Sequence, residues 1–210
     1  MCFKRSVWLI LAIIFLGLII SCSDNDDNIT GSETVFSMDF FPMEVGSQWT
    51  YSVHDTILDT YDTVTFTIID TTTVFGEPGT VWVTVDRNYV PGIQFVTVVG
   101  DTVKIYYDRS AAPSRMLVFP LYLGNYWEFE SVDGNEGCYV FRDSTISVTA
   151  GDFEAKGIVQ SYVFEPFYGV RQNVAWLTPG VGLVKYEIIR EGYTPETAEF
   201  WELLDYKIVH

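Results

Sequence analysis

The stretch FPMEVGSQWTY, from Phe41 to Tyr51, decides the fold, because it returns 78 residues later as FPLYLGNYWEF, from Phe119 to Phe129. Four positions are identical and three are replaced conservatively, without a gap. In each copy, a tryptophan is followed two residues later by Tyr or Phe, so both rings share one face of a strand. The proline lacks a ladder donor and favours a strand entrance, and the glycine favours a positive-φ corner. The motif therefore predicts two related β units.

We predict that the residues shared by both copies have structural roles: they shape the turns, fill the core and bind no ligand. They are Pro42, Gly46, Trp49, Tyr51, Pro120, Gly124, Trp127 and Phe129. Gly180 and Gly182 follow Pro179 and precede a predicted strand, so they indicate a hairpin turn. A phosphate-binding loop would need a helix at this point.

Between the motif copies, the sequence has a period of two. In Thr63–Ile68 the apolar residues fall on one face and the threonines on the other, and Thr80–Val85, Thr102–Tyr107 and Thr145–Thr149 repeat this pattern. We expect an all-β fold of ten or eleven antiparallel strands, in two duplicated meanders curled into one half-barrel or barrel-like sheet. Two packed sheets, as in a sandwich, are the alternative. Glu196–Leu204 is the best helix candidate and equally a terminal strand.

The N-terminus has the layout of an export signal. Lys4 and Arg5 precede an apolar run that continues from Val7 to Ile20, and Ser21 and Cys22 follow it. The run has 14 residues, whereas a membrane-spanning helix needs about 20. We predict a signal peptide at 1–21, an acidic disordered tether at 22–39, and a β domain at 40–210 made of two repeats, at about 40–117 and 118–210.

The residues Ile19, Ile20, Ser21 and Cys22 resemble the lipobox of bacterial lipoproteins, and the acidic residues after Cys22 are similar to the export signal of surface-exposed Bacteroidetes lipoproteins. The repeated motif, Val148–Glu154 and the PGVGLVKYE stretch of Pro179–Glu187 resemble a broad group of bacterial envelope lipoproteins of unknown function. This resemblance implies lipid on the Cys22 sulfur and a β-rich fold related to the half-barrels of lipoprotein carriers. It implies a position in the cell envelope, at the outer membrane, facing the periplasm or the cell surface.

Charge and composition exclude some functions. Without residues 1–21 the chain has 10 basic and 28 acidic side chains, a formal charge of −18. Such a chain is repelled by phosphate backbones, so we expect no nucleic-acid partner. Cys138 is predicted to be a small buried core residue. We predict that His54, Asp55, Asp59 and Asp62 belong to a solvated loop. We expect no metal site and no cofactor, because no local ligand cluster or catalytic motif occurs.

Three functions follow from these observations. The first is a non-enzymatic, lipid-anchored envelope protein that contacts the membrane through Cys22 and binds a protein or glycan partner through its curved sheet and loops. The second is a carrier of lipids or other apolar ligands, which needs an unfilled cavity inside the sheet. The third is a hydrolase with paired carboxylates, for which no sequence signal exists beyond the number of carboxylates.

Overall fold

The structure, a computed structural model, describes residues 37–84, 92–109, 111–131, 134–163, 170–191 and 195–210. The predicted signal peptide, Cys22 and the tether as far as residue 36 lie outside these ranges. The last three residues of the predicted tether belong to a short helix, α1 (Ser37–Phe40). In the described part of the chain, no helix is long and apolar enough to cross a membrane.

Most of the remaining described residues belong to twelve strands. They are β1 (Gln48–Asp55), β2 (Thr60–Val74), β3 (Glu77–Thr84), β4 (Ile93–Val99), β5 (Thr102–Tyr106), β6 (Arg115–Val118), β7 (Tyr126–Ser131), β8 (Gly134–Val148), β9 (Gly151–Val163), β10 (Val170–Thr178), β11 (Gly182–Glu191) and β12 (Pro195–Lys207).

All twelve strands belong to one antiparallel sheet with the order β6-β5-β4-β3-β2-β1-β12-β11-β10-β9-β8-β7. Strands β1 to β6 form one meander and β7 to β12 form another, and the pairing of β1 with β12 joins the two. The sheet curls into a nearly closed barrel shape. Its two edges, β6 and β7, approach each other, and the Trp127 indole Nε1 donates a hydrogen bond of 2.8 Å to the Met116 carbonyl across this seam.

Alternating burial explains why these segments are strands. In β1, Trp49, Tyr51 and Val53 are buried while the residues between them are partly exposed. In β7, buried and exposed residues alternate along the whole strand. Since successive side chains of a strand point to opposite faces, each meander presents one apolar face to the interior.

The predicted all-β class and the single barrel-like sheet are confirmed, and the sandwich alternative is wrong, because one continuous ladder connects all described strands. The number of strands is twelve where the sequence indicated ten or eleven. The helix candidate Glu196–Leu204 lies inside β12, where its backbone pairs with both β1 and β11.

The buried apolar residues form two clusters, and each contains the Trp and the second aromatic residue of one motif copy. Trp49 and Tyr51 belong to the first cluster, and Trp127 and Phe129 belong to the second. The long hairpin of β8 and β9 bends at a register shift after Val140. The hairpin's tip then reaches β12, where the Ala150 amide donates to the Leu203 carbonyl at 3.1 Å.

Candidate functional site

The two copies of the motif make the same backbone hydrogen bonds. Gly46 N donates to Ile68 O at 2.8 Å, and Gly124 N donates to Val140 O at 2.8 Å. Both glycines have positive φ, +97° and +85°, a conformation that a residue with a Cβ rarely adopts. One residue further on, the carbonyls of Ser47 and Asn125 accept from the same partner strand residues. The predicted corner is therefore present in each half.

The prolines of the motif lie further from the strands than the sequence suggested. Strand β1 begins six residues after Pro42 and β7 begins six residues after Pro120, so neither proline is at a strand entrance. The glycine corner takes that place, since it ends two residues before each strand. The Phe119–Pro120 peptide bond is cis.

Trp49 is anchored to the turn that precedes β11, and Tyr51 is anchored to the start of β11 itself. The Trp49 indole Nε1 donates to the Val181 carbonyl at 2.6 Å, and the Tyr51 hydroxyl donates to the Leu183 carbonyl at 2.8 Å. Burial raises the pKa of the Tyr51 hydroxyl, so it stays protonated as a donor. The Trp49 ring also stacks on Trp82, with a centroid distance of 4.8 Å and an interplanar angle of 5°.

Gly180 and Gly182 form the hairpin turn that the sequence predicted, between β10 and β11, with φ of +77° and +95°. Gly182 also permits a close approach, because a Cβ at this position would lie 3.2 Å from the Phe40 carbonyl oxygen and 3.9 Å from the Trp49 Nε1. A Cβ at Gly180 would contact nothing within 4 Å. The end of α1 therefore packs directly on this turn.

A cavity of about 220 Å³ lies inside the sheet, beside Trp49 and Tyr51. Its walls are mostly aromatic and aliphatic, and they include Phe41, Phe66, Trp82 and Trp201. Tyr107 also lines the cavity and is 38 % exposed, so the cavity reaches the surface near the end of β5. The buried aromatic residues of the motif thus leave an open volume next to them.

Cross-strand pairing places one row of residues along the cavity wall. Residues directly opposite on neighbouring antiparallel strands share a face. The register pairs Cys138 with Gln160, Gln160 with Asn173, Asn173 with Ile188 and Ile188 with Glu199. All five side chains line the cavity. This set, from β8 to β12, is the central row, and three of its members are polar.

Charged and polar groups surround one end of the central row. The Arg115 guanidinium donates to the Tyr186 hydroxyl at 2.7 Å and lies over the Tyr186 ring, 4.6 Å from its centroid. The Gln160 amide nitrogen donates to the Glu136 carboxylate and, at 3.4 Å, to the Ser114 carbonyl. Glu136 is buried. The cavity thus combines apolar walls with both signs of charge.

Asn173 differs from these neighbours. It is 2 % exposed, it lines the cavity, and neither its side-chain oxygen nor its side-chain nitrogen has a hydrogen-bond partner among the described residues. A buried amide without a partner costs about 1–3 kcal/mol, because its contacts with water are lost and not replaced. Most buried polar groups in proteins are hydrogen-bonded. A cavity lined by a buried amide without a hydrogen-bond partner is therefore unusual.

Cys138 is buried in β8, as predicted. Burial, with a smaller contribution from the Glu136 carboxylate, raises the pKa of its thiol to about 12, although the Arg115 guanidinium opposes the increase. A thiol with this pKa is protonated at neutral pH and is a poor nucleophile. Cys138 therefore contributes to the apolar wall.

The predicted loop around His54 is a tight turn between β1 and β2. His54 and Asp55 end β1, and Asp62 lies in β2. His54 Nε2 lies 3.4 Å from the Asp59 carboxylate, and its ring stacks on Tyr61 at 4.1 Å. Within the described ranges, no three His, Cys, Asp or Glu side chains come together as a metal-binding group.

The central row was not predicted from the sequence, since its members lie on five different strands. A signal exists in retrospect: Glu136, Cys138 and Val140 alternate along one face of β8, as do Ile158 and Gln160 in β9. A polar residue on an otherwise apolar face is the sign of a lined cavity or a buried polar cluster. Recognising it requires knowing which face is inside.

No protein-family model and no curated protein matches the chain. Solved structures that are similar to it include the following two. A protein classed as exported, with a YmcC-like fold, from Bacteroides fragilis NCTC 9343 has 12 % identity and a TM-score of 0.49, over 80 % of this chain and 98 % of that one. A protein classed as a lipoprotein, from Parabacteroides distasonis ATCC 8503, has 13 % identity and a TM-score of 0.45, over the same shares.

Proposed function

We propose that this chain is a lipid-anchored protein of the bacterial cell envelope that binds a small ligand inside its barrel-shaped sheet and performs no chemistry on it. The anchor is Cys22, on the strength of the lipobox-like residues that precede it. The observation that supports ligand binding is the cavity beside Trp49 and Tyr51, with its aromatic walls and its polar central row. Binding sites for small molecules have this composition.

The volume of the cavity defines the size of the ligand. An apolar cavity of about 150 Å³ binds benzene, whereas drug-sized ligands occupy about 300–1,000 Å³. At about 220 Å³, this cavity accommodates a compound of one or two rings. It is too small for the acyl chains of a membrane lipid, so within the carrier hypothesis we favour small ring compounds over lipids.

A cavity-filling variant tests this function. Ala175 lines the cavity, so Ala175→Leu should place its added carbons in the open volume. Ala112 is exposed, and Ala112→Leu is the matched control. We expect benzene to raise the Tm of the full-length wild-type protein and of Ala112→Leu, because a ligand that binds only the folded state stabilises it. Ala175→Leu should show no increase. An unchanged wild-type Tm at saturating benzene contradicts the proposal.

Binding of a protein or glycan partner at the outer surface is the second candidate. Tyr126 and Tyr139 form a cross-strand pair on β7 and β8 and are 61 % and 43 % exposed, and Tyr122 and Leu123 beside them are also exposed. Tyrosine is enriched in protein interfaces, so this surface favours a protein partner. A photoreactive residue at position 139 should give a discrete cross-linked product in intact cells, and one at exposed Ile57 should not. Equal products from both positions would argue against it.

A further inference from the structure

The unpartnered amide of Asn173 indicates what the cavity binds. Its two cross-strand neighbours do not satisfy it. The Ile188 side chain has no polar atom, and the Gln160 amide nitrogen already donates to Glu136 and to the Ser114 carbonyl. A leucine at this position would avoid the cost of the buried amide. The presence of asparagine therefore suggests that a bound molecule supplies the missing donor and acceptor.

A carboxamide offers an acceptor oxygen beside a donor nitrogen in one plane. Its best complement is a planar group with the opposite arrangement, in which an N–H lies next to a C=O. A cyclic amide has this edge, and its ring would contact aromatic side chains that line the same cavity, among them Trp49, Trp82 and Trp201. Aromatic side chains favour such stacked or edge-on ring contacts.

Charge argues for a neutral ligand. The cavity lining contains both the Arg115 guanidinium and the Glu199 carboxylate, and the Glu136 carboxylate lies beside Gln160. An anion would meet these carboxylates in a chain whose predicted mature charge is −18, and a cation would meet the guanidinium. A polar but uncharged molecule avoids both repulsions.

We propose that the cavity recognises small neutral ring compounds with a cyclic-amide edge, and that Asn173 is the residue that selects for this edge. This inference rests on the proposed function, because it assumes that the cavity admits a ligand. It goes further than the proposed function, because it assigns the class of ligand and the residue that selects for that class.

Four probes separate the contributions of ring shape and amide edge. 2-Pyridone has the ring and the complete edge, N-methyl-2-pyridone lacks the donor, and benzene has only the ring. Toluene, compared with benzene, measures the effect of the added methyl group alone. Affinities are measured by isothermal titration calorimetry on the full-length protein in detergent, with Asn173→Leu as the variant. Circular dichroism and thermal melting establish that this variant is folded.

We expect 2-pyridone to bind the wild type at least about tenfold more tightly than benzene or N-methyl-2-pyridone, since one buried hydrogen bond of about 1.4 kcal/mol corresponds to tenfold. Asn173→Leu should bind 2-pyridone and benzene equally. If wild-type protein binds benzene and 2-pyridone with the same affinity, the cyclic-amide inference is wrong while the proposed function stands. In that case water satisfies Asn173. If no probe binds, both proposals are wrong.

Discussion

Replacing Trp49 by phenylalanine should destabilise the protein by about 2–4 kcal/mol. The substitution removes the indole N–H that donates to the Val181 carbonyl at 2.6 Å, and an unsatisfied buried carbonyl costs about 1–3 kcal/mol. The smaller ring adds about 1 kcal/mol through lost burial, because Trp49 is only 2 % exposed. Trp49→Ala, which also removes the stack on Trp82, should cost about 3–5 kcal/mol.

The free energy of unfolding is measured by urea titration of the full-length protein, monitored by circular dichroism. Trp82→Phe is the matched control, because it removes an indole bond to the Thr80 hydroxyl at 2.8 Å in a partly exposed place and retains an aromatic ring against Trp49. We expect this control to cost about 0.5–1.5 kcal/mol. If Trp49→Phe costs no more than Trp82→Phe, the buried contact with Val181 does not hold the β11 turn in place.

Three further predictions concern single positions. Cys22→Ala should leave the protein unlipidated and released from membranes, and labelling of this variant by a fatty-acid probe would refute the anchor. Between pH 8 and 10.5, wild-type protein should lose about 2 kcal/mol more stability than Cys138→Ala. Stability falls as pH rises because the unfolded thiol ionises near its ordinary pKa of 9.0 and the folded thiol only near 12. Parallel pH profiles of the two proteins would contradict this. Gly182→Ala should lower stability by about 2–3 kcal/mol, because it combines positive-φ strain with a close approach to the Phe40 carbonyl. Gly180→Ala has only the strain and should cost about 1 kcal/mol; equal losses would exclude the close approach.

The strands were predictable because the alternation of apolar and polar residues along the chain corresponds directly to the alternation of buried and exposed side chains. Thr63–Ile68 lies within β2, with Val64 and Ile68 buried, and Thr102–Tyr106 forms β5. The corner at Gly46 was predictable for a similar reason, since a positive φ restricts the residue type. Such features depend on a few neighbouring residues. The short edge strand β6 has only four residues, too few for a period of two to be distinctive.

The cavity could not be predicted, because it depends on register between strands that are distant in sequence. Arg115 and Tyr186 are 71 residues apart and make a hydrogen bond, and Trp49 reaches a carbonyl 132 residues away. Cross-strand pairing also determines which residues are neighbours of Asn173. A shift of one residue would move its amide to the other face. Because Asn173 and its neighbour Val174 are both buried, alternation along β10 does not show which face holds the amide.

The two halves of the sheet have the same plan, but they meet differently at their two junctions. If the repeat reflects a duplication, as we propose, β1 and β7 are counterparts, and so are β12 and β6. The pair β1–β12 forms a full ladder, in which eight residues of β1 have partners. At the other junction β6 is short, and the Trp127 indole bond to Met116 bridges the edges. Arg115 and Leu117 on this same strand line the cavity. The weakly joined edge of the sheet therefore forms part of the cavity wall, and motion of β6 would change the cavity while the ladders of β8 to β12 keep the central row fixed.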